Sequence, residues 1–221
     1  MVQIENVDVY GWEAAIRGMR NPKNSWDRMD SFKECEFAPC YRCPKDDCYG
    51  PDEGAYTIGP NDLSLMRKLA NAGNDHGKFL RMITVTLDIN APLYWWKEFD
   101  TYKVGTVANS CSTMHKIHAK EFTVDDFSHE HLDGASKEIL SCLTNTLNIC
   151  RTAFIQTKDK RWWWQMIQLL PSSYNQRRTV QLNYAVLKAM YHARKNHKLD
   201  EWHRFCEWVE TLPYSELIIG G

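Results

Sequence analysis

The sequence of 221 residues predicts a fold that combines α-helices with β-strands. Apolar and polar residues alternate over residues 79–89, which is the pattern of a strand with one buried face. Apolar residues recur at helical spacing over residues 135–150 and again over 182–193, which predicts amphipathic helices. A chain of this length can form one substantial core, so we predict a single domain over residues 1–221, with a cysteine-rich insertion at about 31–57.

Shorter elements complete the predicted order. Residues 3–10 are predicted as a short strand, and residues 12–20 as a short helix followed by a turn. The run Gly-Pro-Asn-Asp at 59–62 is a helix-start signal. The three tryptophans at 162–164 are predicted to lie on a strand, where at least one would face the core or a subunit interface, and we favour the interface. Helical periodicity returns over residues 199–209.

The composition excludes several classes of protein. The hydrophobic fraction of 43% and the charged fraction of 25% are typical of a soluble globular protein. A net charge of -1 gives no reason to expect nucleic acid or an anionic membrane as a partner. The N-terminal residues carry acids and no apolar run of signal length, and no stretch approaches ~20 consecutive apolar residues. We therefore predict a cytoplasmic protein that does not associate with membranes.

Four cysteines cluster in the segment 31–57, where cysteine, proline, glycine and acidic residues replace periodic apolar patterns. They are Cys35, Cys40, Cys43 and Cys48. Four thiolates can form a closed tetrahedral zinc site, which would be structural because no ligand position stays open. The alternative is a loop that carries reduced thiols, since only one pair has the two-residue spacing of a zinc knuckle.

The segment 91–115 mixes residue types that a purely core-filling stretch would not combine. Bulky aromatic residues and charges come first, and small hydrogen-bonding residues such as Asn109 and Ser110 follow Gly105. This order predicts a helix that leads into a ligand-facing loop.

Two groups of polar residues near the C-terminus suit an extended phosphorylated ligand. Asn183 and Arg194 are predicted to share one helix face, about 16 Å apart along the axis, and could contact two ends of a nucleotide or dinucleotide. Arg177 and Arg178 lie next to Tyr174 and could bind a phosphate, because arginine offers a forked and permanently charged set of donors. The alternative is that both arginines are solvated surface charges in weak ion pairs.

Three segments resemble the flavin-dependent thymidylate synthases. They are the strand and arginine-bearing helix of residues 7–25, the strand VTLDINAP leading into LYWWKEFDTYK, and LLPSSYNQRRTVQLNYAVLKAMYHARKNHKLDEWHRFCEW. The resemblance covers most of the chain except the cysteine-rich segment. It implies an α/β (α+β) fold, with an antiparallel sheet flanked by helices, in a homotetramer whose active sites form between subunits.

The resemblance also implies an activity and ligands. In this family FAD carries a hydride from NADPH, and a methylene group passes from methylene-tetrahydrofolate to dUMP, with no protein nucleophile required. By resemblance Arg194 would contact the pyrimidine, and Asn183 the flavin or the nucleotide. Ser25, Tyr102 and Lys103 would face the flavin. Asn109 and Ser110 lie one residue from polar positions of the family signature.

The sequence departs from the family signature, which begins with Arg-His-Arg and reaches a serine after a seven-residue gap. Aligned without gaps, that triad falls on Thr101, Tyr102 and Lys103, and the serine falls on Cys111. Two hypotheses follow. The chain is a divergent enzyme that methylates dUMP or a related pyrimidine nucleotide, or it is a non-catalytic nucleotide-binding protein that kept the fold and lost flavin chemistry.

Overall fold

The structure, a computed structural model, describes residues 2–33 and 56–220 and combines eight α-helices and four short 3-10 helices with six strands in these ranges. The strands are β1 (Gln3–Tyr10), β2 (Phe32–Lys33), β3 (Tyr56–Thr57), β4 (Thr84–Pro92), β5 (Val107–Ser110) and β6 (Asn175–Asn183). The helices are α1 (Trp12–Arg20), α2 (Pro60–Asn71), α3 (Leu93–Phe99), α4 (Gly134–Thr157), α5 (Lys160–Leu169), α6 (Tyr184–Arg194), α7 (Asp200–Glu210) and α8 (Glu216–Ile219). None of the described helices has both the length and the apolar character needed to cross a bilayer.

Four strands form one sheet in the order β1-β4-β6-β5, while β2 and β3 pair antiparallel in a separate ribbon. β5 runs antiparallel to β6, with Asn109 opposite Thr179 and Ser110 opposite Arg178. All four residues of β5 are exposed, as expected for a strand at the edge of a sheet. The predicted α+β class, with an antiparallel sheet and helices, is confirmed.

The chain separates into two compact units. Unit 1 comprises the described residues of Met1–Val7, Leu87–Gln181 and Lys198–Phe205. Unit 2 comprises the described residues of Asp8–Thr86, Leu182–His197 and Cys206–Gly221.

Unit 1 contains two groups of buried apolar side chains. The first is formed where α4 packs on α5, and it consists of Ile117, Phe122, Phe127, Leu140, Leu147, Cys150 and Met166. The second is aromatic: Trp95 of α3 lies with its ring centre 4.8 Å from that of Trp202 and 5.7 Å from that of Phe205. The bulky residues of α3 therefore fill a core, and any ligand contact from this segment has to come from the residues after the helix.

Unit 2 is organised around Trp12, whose ring meets Tyr184 and Tyr214 edge-on at centre distances of 5.3 and 5.2 Å. The chain enters α1 through Gly11, which has a φ of 91°. A Cβ atom at this position would lie 2.0 Å from the carbonyl oxygen of Met82, so only glycine fits here.

The structure corrects two element boundaries and the type of one element. The strand predicted from residue 79 begins at Thr84, because residues 77–82 form a 3-10 helix that buries Phe79 and Leu80. The tryptophans at 162–164 lie on α5, not on a strand, and Asp159 caps this helix by accepting a hydrogen bond from the Arg161 amide at 2.9 Å. The helix predicted from residue 182 begins two residues later, at Tyr184, because β6 extends to Asn183.

Candidate functional site

A polar cavity of about 320 Å³ lies within unit 1. Its walls come from β1, β4, the start of β6 and the residues that follow β5. Pockets for small molecules measure about 300–1,000 Å³, so this volume is at the small end of the range. The cavity is the candidate functional site of unit 1.

Charged side chains in the lining are mostly acidic. Its carboxylates are Glu5, Asp88, Asp125 and Asp126. Its cations are Lys120 and Arg177. The neutral part of the lining is rich in carboxamides, namely Gln3, Asn90, Asn175 and Gln176. With four carboxylates and two cations, the cavity carries a formal charge of about -2 at neutral pH.

Arg177 is held between two of these carboxylates. Its Nη2 atom lies 2.8 Å from Asp88 Oδ2 and 3.1 Å from Glu5 Oε2. Asp88 also accepts hydrogen bonds from Thr179 Oγ1 at 2.5 Å and from Asn6 Nδ2 at 2.8 Å. The hydrogen bonds from Thr179, Arg177 and Asn6 hold the pKa of Asp88 well below its usual range. Asp88 therefore stays ionised at neutral pH, and the charge of Arg177 is compensated within the protein.

Arg178 lies next to Arg177 in sequence but is absent from the cavity lining, because its side chain is directed to Asp100 and Trp96. Its Nη1 atom is 2.7 Å from Asp100 Oδ1, and its guanidinium carbon is 4.1 Å from the ring centre of Trp96. Nε donates to Gln176 Oε1 at 3.0 Å. The structure thus separates the two arginines that we predicted to act as a phosphate-binding pair, and each has its own carboxylate partner.

The residues after α3 lie at the surface of unit 1. Tyr102 is half-buried, with its ring centre 6.4 Å from that of Trp202, and Lys103 is exposed. Asn109 and Ser110 are exposed on the edge strand β5. The three residues after β5, Cys111 to Thr113, reach the cavity. The helix that we predicted in this segment is confirmed, but the loop predicted after it contains the edge strand β5. The ligand contacts of Asn109 and Ser110 stay a prediction.

The backbone of Cys111 is anchored on both sides at the cavity wall. Its amide donates to the Arg177 carbonyl at 2.9 Å, and its carbonyl accepts from Gln176 Nε2 at 2.7 Å. This pairing continues the β5–β6 ladder by one residue and directs the following Ser112 and Thr113 into the cavity lining.

Unit 2 holds the remaining candidates. The Ser25 hydroxyl accepts a hydrogen bond from Arg20 Nη1 at 3.3 Å. Asn183 is the last residue of β6 and caps α6, with Oδ1 accepting from the Val186 amide at 3.1 Å. Arg194 is half-buried at the C-terminal end of α6. The prediction that Asn183 and Arg194 share a helix face is wrong, because an asparagine at this position starts the helix by capping it.

The acidic and amide residues on β1 and β4 that line the cavity are not predicted from the sequence. Asp88 and Asn90 alternate with the buried Leu87 and Ile89 on β4, so they occupy the polar face of the strand. A polar strand face is commonly solvated, and sequence alone did not indicate that β1 and β6 would add further polar groups beside it. The sequence signal that could have indicated the site is the pair Asp88 and Asn90, two hydrogen-bonding side chains two residues apart on the polar face of one strand.

The metal prediction lies elsewhere in the chain. Cys35, Cys40, Cys43 and Cys48 fall outside the described residues, so structural zinc there stays a prediction. In the described ranges 2–33 and 56–220, no group of three or more His, Cys, Asp or Glu residues is arranged to hold a metal ion.

FAD, which the family resemblance implies, does not fit the cavity of unit 1. The volume suits a ligand of mononucleoside size, and FAD is an extended dinucleotide. Its pyrophosphate would need uncompensated cations, whereas Lys120 is paired with Asp126 and Arg177 with Asp88. Two of the predicted flavin contacts are already engaged, since the side-chain oxygens of Ser25 and Asn183 accept protein hydrogen bonds.

Solved structures of flavin-dependent thymidylate synthases share this fold over nearly the whole chain. Two structures of ThyX from Helicobacter pylori with FAD and dUMP match with TM-scores of 0.66 and 13% sequence identity. The matches cover 98% and 99% of this chain and 98% of each ThyX chain. The UMP/dUMP methylase PolB from Streptomyces cacaoi, bound with 5-Br dUMP, matches with a TM-score of 0.58 and 13% identity over 96% of this chain and 89% of that chain.

The predicted resemblance in fold is therefore confirmed: the chain has a ThyX-like fold. No protein-family profile matches the chain, and no curated protein sequence matches it. The likeness is one of backbone arrangement, at an identity that preserves few side chains.

Proposed function

We propose that this chain is a divergent flavin-dependent thymidylate synthase-like enzyme. It would bind FAD outside the cavity of unit 1, which is too small for a dinucleotide, and catalyse the FAD-dependent reductive methylation of dUMP or a related pyrimidine nucleotide, with NADPH and methylene-tetrahydrofolate as co-substrates. The observation that carries the proposal is the match over 98% of both chains to a ThyX bound to FAD and dUMP. The match to a UMP/dUMP methylase supports the same class of substrate.

When bound, FAD supplies the hydride-transfer chemistry, so the protein has only to bind, orient and exclude water. We assign substrate contacts to Arg177, Arg178, Arg194, Asn109 and Ser110. We assign cofactor contacts to Ser25, Tyr102, Lys103 and Asn183. The exposure of Lys103 and Asn109 supports these roles, because side chains that meet a ligand have to be accessible in its absence.

A non-catalytic nucleotide-binding protein is the second candidate function. It is favoured by the residues Thr101, Tyr102 and Lys103 at the positions of the family's Arg-His-Arg, which leave one cation instead of two arginines. A flavin that lacks these contacts would be held weakly or lost, while a nucleotide pocket could persist.

Reconstitution of the purified full chain with FAD separates the two candidates. The enzyme is expected to retain the visible absorption of flavin after desalting, and to convert dUMP to a methylated product when NADPH and methylene-tetrahydrofolate are added. Mass spectrometry of the nucleotide measures the product. A colourless protein that binds dUMP without turnover would support the binding protein instead.

The cofactor role of Lys103 is tested by Lys103→Met in the same assay. Loss of a charge-assisted contact costs about 1.5–3 kcal/mol, so the FAD affinity is expected to fall by at least about tenfold. Lys97→Met is the control, because Lys97 is also exposed and lies on the preceding helix outside the proposed contacts. Equal FAD affinity of the two variants would remove Lys103 from the cofactor site.

We also propose that the chain assembles as a homotetramer and that one face of α4 lies in a subunit interface. Residues at alternating three- and four-residue spacing form an uncharged stripe on this helix: Ala135, Ile139, Cys142, Thr146, Ile149 and Ala153. Ile139 is 70% exposed and Ile149 is 65% exposed in the single chain. Contiguous exposed apolar surface marks interaction sites, and an uncharged stripe of small and branched residues suits packing against its own copy.

Charged substitutions on this stripe test the assembly. Ile139→Asp with Ile149→Asp is expected to convert the wild-type oligomer to a smaller species, measured by light scattering after size-exclusion chromatography. Lys137→Asp, at an exposed position of α4 outside the stripe, should leave the mass unchanged. A monomeric wild-type chain, or an oligomer that survives the double substitution, would rule out this interface.

A further inference from the structure

We infer that the cavity of unit 1 holds the uncharged nucleoside part of the pyrimidine nucleotide, and not its phosphate. This inference rests on the proposed function and specifies which part of the substrate enters this cavity. It departs from the expectation that Arg177 binds the phosphate, which came from the residue type alone.

The charges of the cavity oppose a phosphate. Its carboxylates outnumber its cations by four to two. Both cations already have carboxylate partners. Lys120 is paired with Asp126, and Arg177 is paired with Asp88 and Glu5. A phosphate monoester carries about -1.5 to -2 charges at pH 7, so it would add like charge to a site that is already negative. A phosphate at Arg177 would have to share this guanidinium with Asp88, which accepts two further hydrogen bonds and remains ionised.

The neutral groups of the cavity suit a nucleoside. Asn90 donates to Gln3 Oε1 at 3.3 Å, and Asn175 Oδ1 accepts from Ser128 Oγ at 2.9 Å. These bonds orient the two asparagines and leave, among described residues, no partner for the Asn90 carboxamide oxygen or the Asn175 carboxamide nitrogen. An acceptor and a donor of this kind complement the N–H and carbonyl groups of a uracil edge.

The sugar can use the acidic groups that a phosphate would avoid. An ionised carboxylate is an acceptor only, and the hydroxyls of a pentose are donors to it. Asp125 is exposed in the lining and is available for such a contact. Tyr174, whose ring is supported edge-on by Phe127 at 5.8 Å, adds an apolar surface to the same cavity. A volume of about 320 Å³ then accommodates base and sugar, with the phosphate outside the cavity.

Calorimetric titration of the full chain with deoxyuridine and with dUMP tests the inference. Asn90→Leu and Asn175→Leu are each expected to weaken both ligands by about tenfold, because each variant removes a hydrogen bond to the shared nucleoside. Arg177→Met is expected to change the ratio of the dUMP and deoxyuridine affinities by less than about threefold. Arg67→Met is its control, since Arg67 is 54% exposed and paired with Glu216, and Arg177 is 48% exposed and also paired.

Three results would overturn the inference. The first is that Arg177→Met, and not Arg67→Met, lowers that ratio by about threefold or more, which would place the phosphate at Arg177. The second is that deoxyuridine does not bind, and the third is that its affinity is unchanged in both asparagine variants. In each of these cases dUMP binding by the wild-type chain would leave the proposed function intact. Absence of dUMP binding would instead remove the proposed substrate together with the inference.

Discussion

Arg20→Met is expected to lower the free energy of unfolding by about 3–5 kcal/mol, because it leaves the carboxylate of Asp62 buried without its cation. Arg20 Nε lies 2.6 Å from Asp62 Oδ1, and the two side chains are only 4% and 0% exposed. Asp62 cannot turn to solvent, since its other oxygen accepts hydrogen bonds from the Ser31 hydroxyl at 2.6 Å and from the backbone. Urea unfolding followed by circular dichroism measures the loss.

The double variant Arg20→Met with Asp62→Leu is the control, because it removes both charges. Replacement of a complete buried ion pair by apolar side chains is often nearly neutral, so the double variant is expected to be more stable than Arg20→Met alone. If the double variant were as unstable as the single one or worse, packing around Arg20 and not the uncompensated charge would be responsible.

The pH dependence of unfolding gives a second measure of the same ion pair. Burial opposes ionisation of Asp62, but hydrogen bonds from Ser31 and Arg20 outweigh it and hold the pKa below the usual value. A carboxyl group with a lowered folded-state pKa stabilises the fold above its unfolded pKa of about 3.9, and this contribution is lost as the pH falls through the folded-state pKa. The wild-type chain should therefore lose more stability on acidification than Asp62→Asn.

The same network connects stability to the proposed cofactor site. Arg20 Nη1 donates to the Ser25 hydroxyl at 3.3 Å, and the Ser31 hydroxyl accepts from the Gly59 amide at 3.0 Å. Ser25 is a proposed flavin contact, and Arg20→Met removes the hydrogen bond that holds the Ser25 hydroxyl. A reduced FAD affinity in the folded fraction of this variant would be consistent with that role.

Trp95→Ala is expected to destabilise the chain by a similar amount, about 3–5 kcal/mol, because it leaves a large cavity in the aromatic core of unit 1. Trp95 is fully buried and packs against Trp96, Phe99, Trp202 and Phe205. Urea unfolding followed by far-ultraviolet circular dichroism measures the change in the free energy of unfolding, because this signal reports the backbone.

Phenylalanine substitutions separate the packing of the indole from its hydrogen bonding. In the described part of the chain Trp95 Nε1 is buried without a hydrogen-bond partner, whereas Trp202 Nε1 donates to Glu98 Oε2 at 3.1 Å. Both Trp→Phe changes remove the same atoms, and only Trp202→Phe breaks a hydrogen bond. Trp202→Phe is therefore expected to cost about 0.5–1.5 kcal/mol more than Trp95→Phe. Equal losses would mean that the bond to Glu98 adds nothing to stability.

Periodicity in the sequence predicted the elements that bury one face. The alternation that ends at Ile89 and the helical spacing over 135–150 both correspond to observed elements, β4 and α4. These patterns are local, since a strand or helix has to place its apolar residues on one side whatever it packs against. The strand predicted for the tryptophans at 162–164 is wrong, because these residues lie on a helix that Asp159 caps.

The candidate site was less accessible to prediction. Arg177 was predicted from its residue type, but its carboxylate partners Glu5 and Asp88 are 172 and 89 residues away along the chain. A local sequence pattern cannot show which residues so far apart along the chain will form ion pairs. The same limit applies to Asn183, whose side chain caps a helix because β6 ends there.

The sequence by itself determined the α+β class, the segments that form most helices and strands, and the resemblance to flavin-dependent thymidylate synthases. Only the tertiary structure decided that Arg177 and Arg178 of β6 pair with different carboxylates. It also brought acidic and amide side chains from β1, β4 and β6 together around one cavity. The physical reason is that apolar burial repeats along each element and is encoded locally. The charge of a cavity is a sum over residues that only the folded chain brings together.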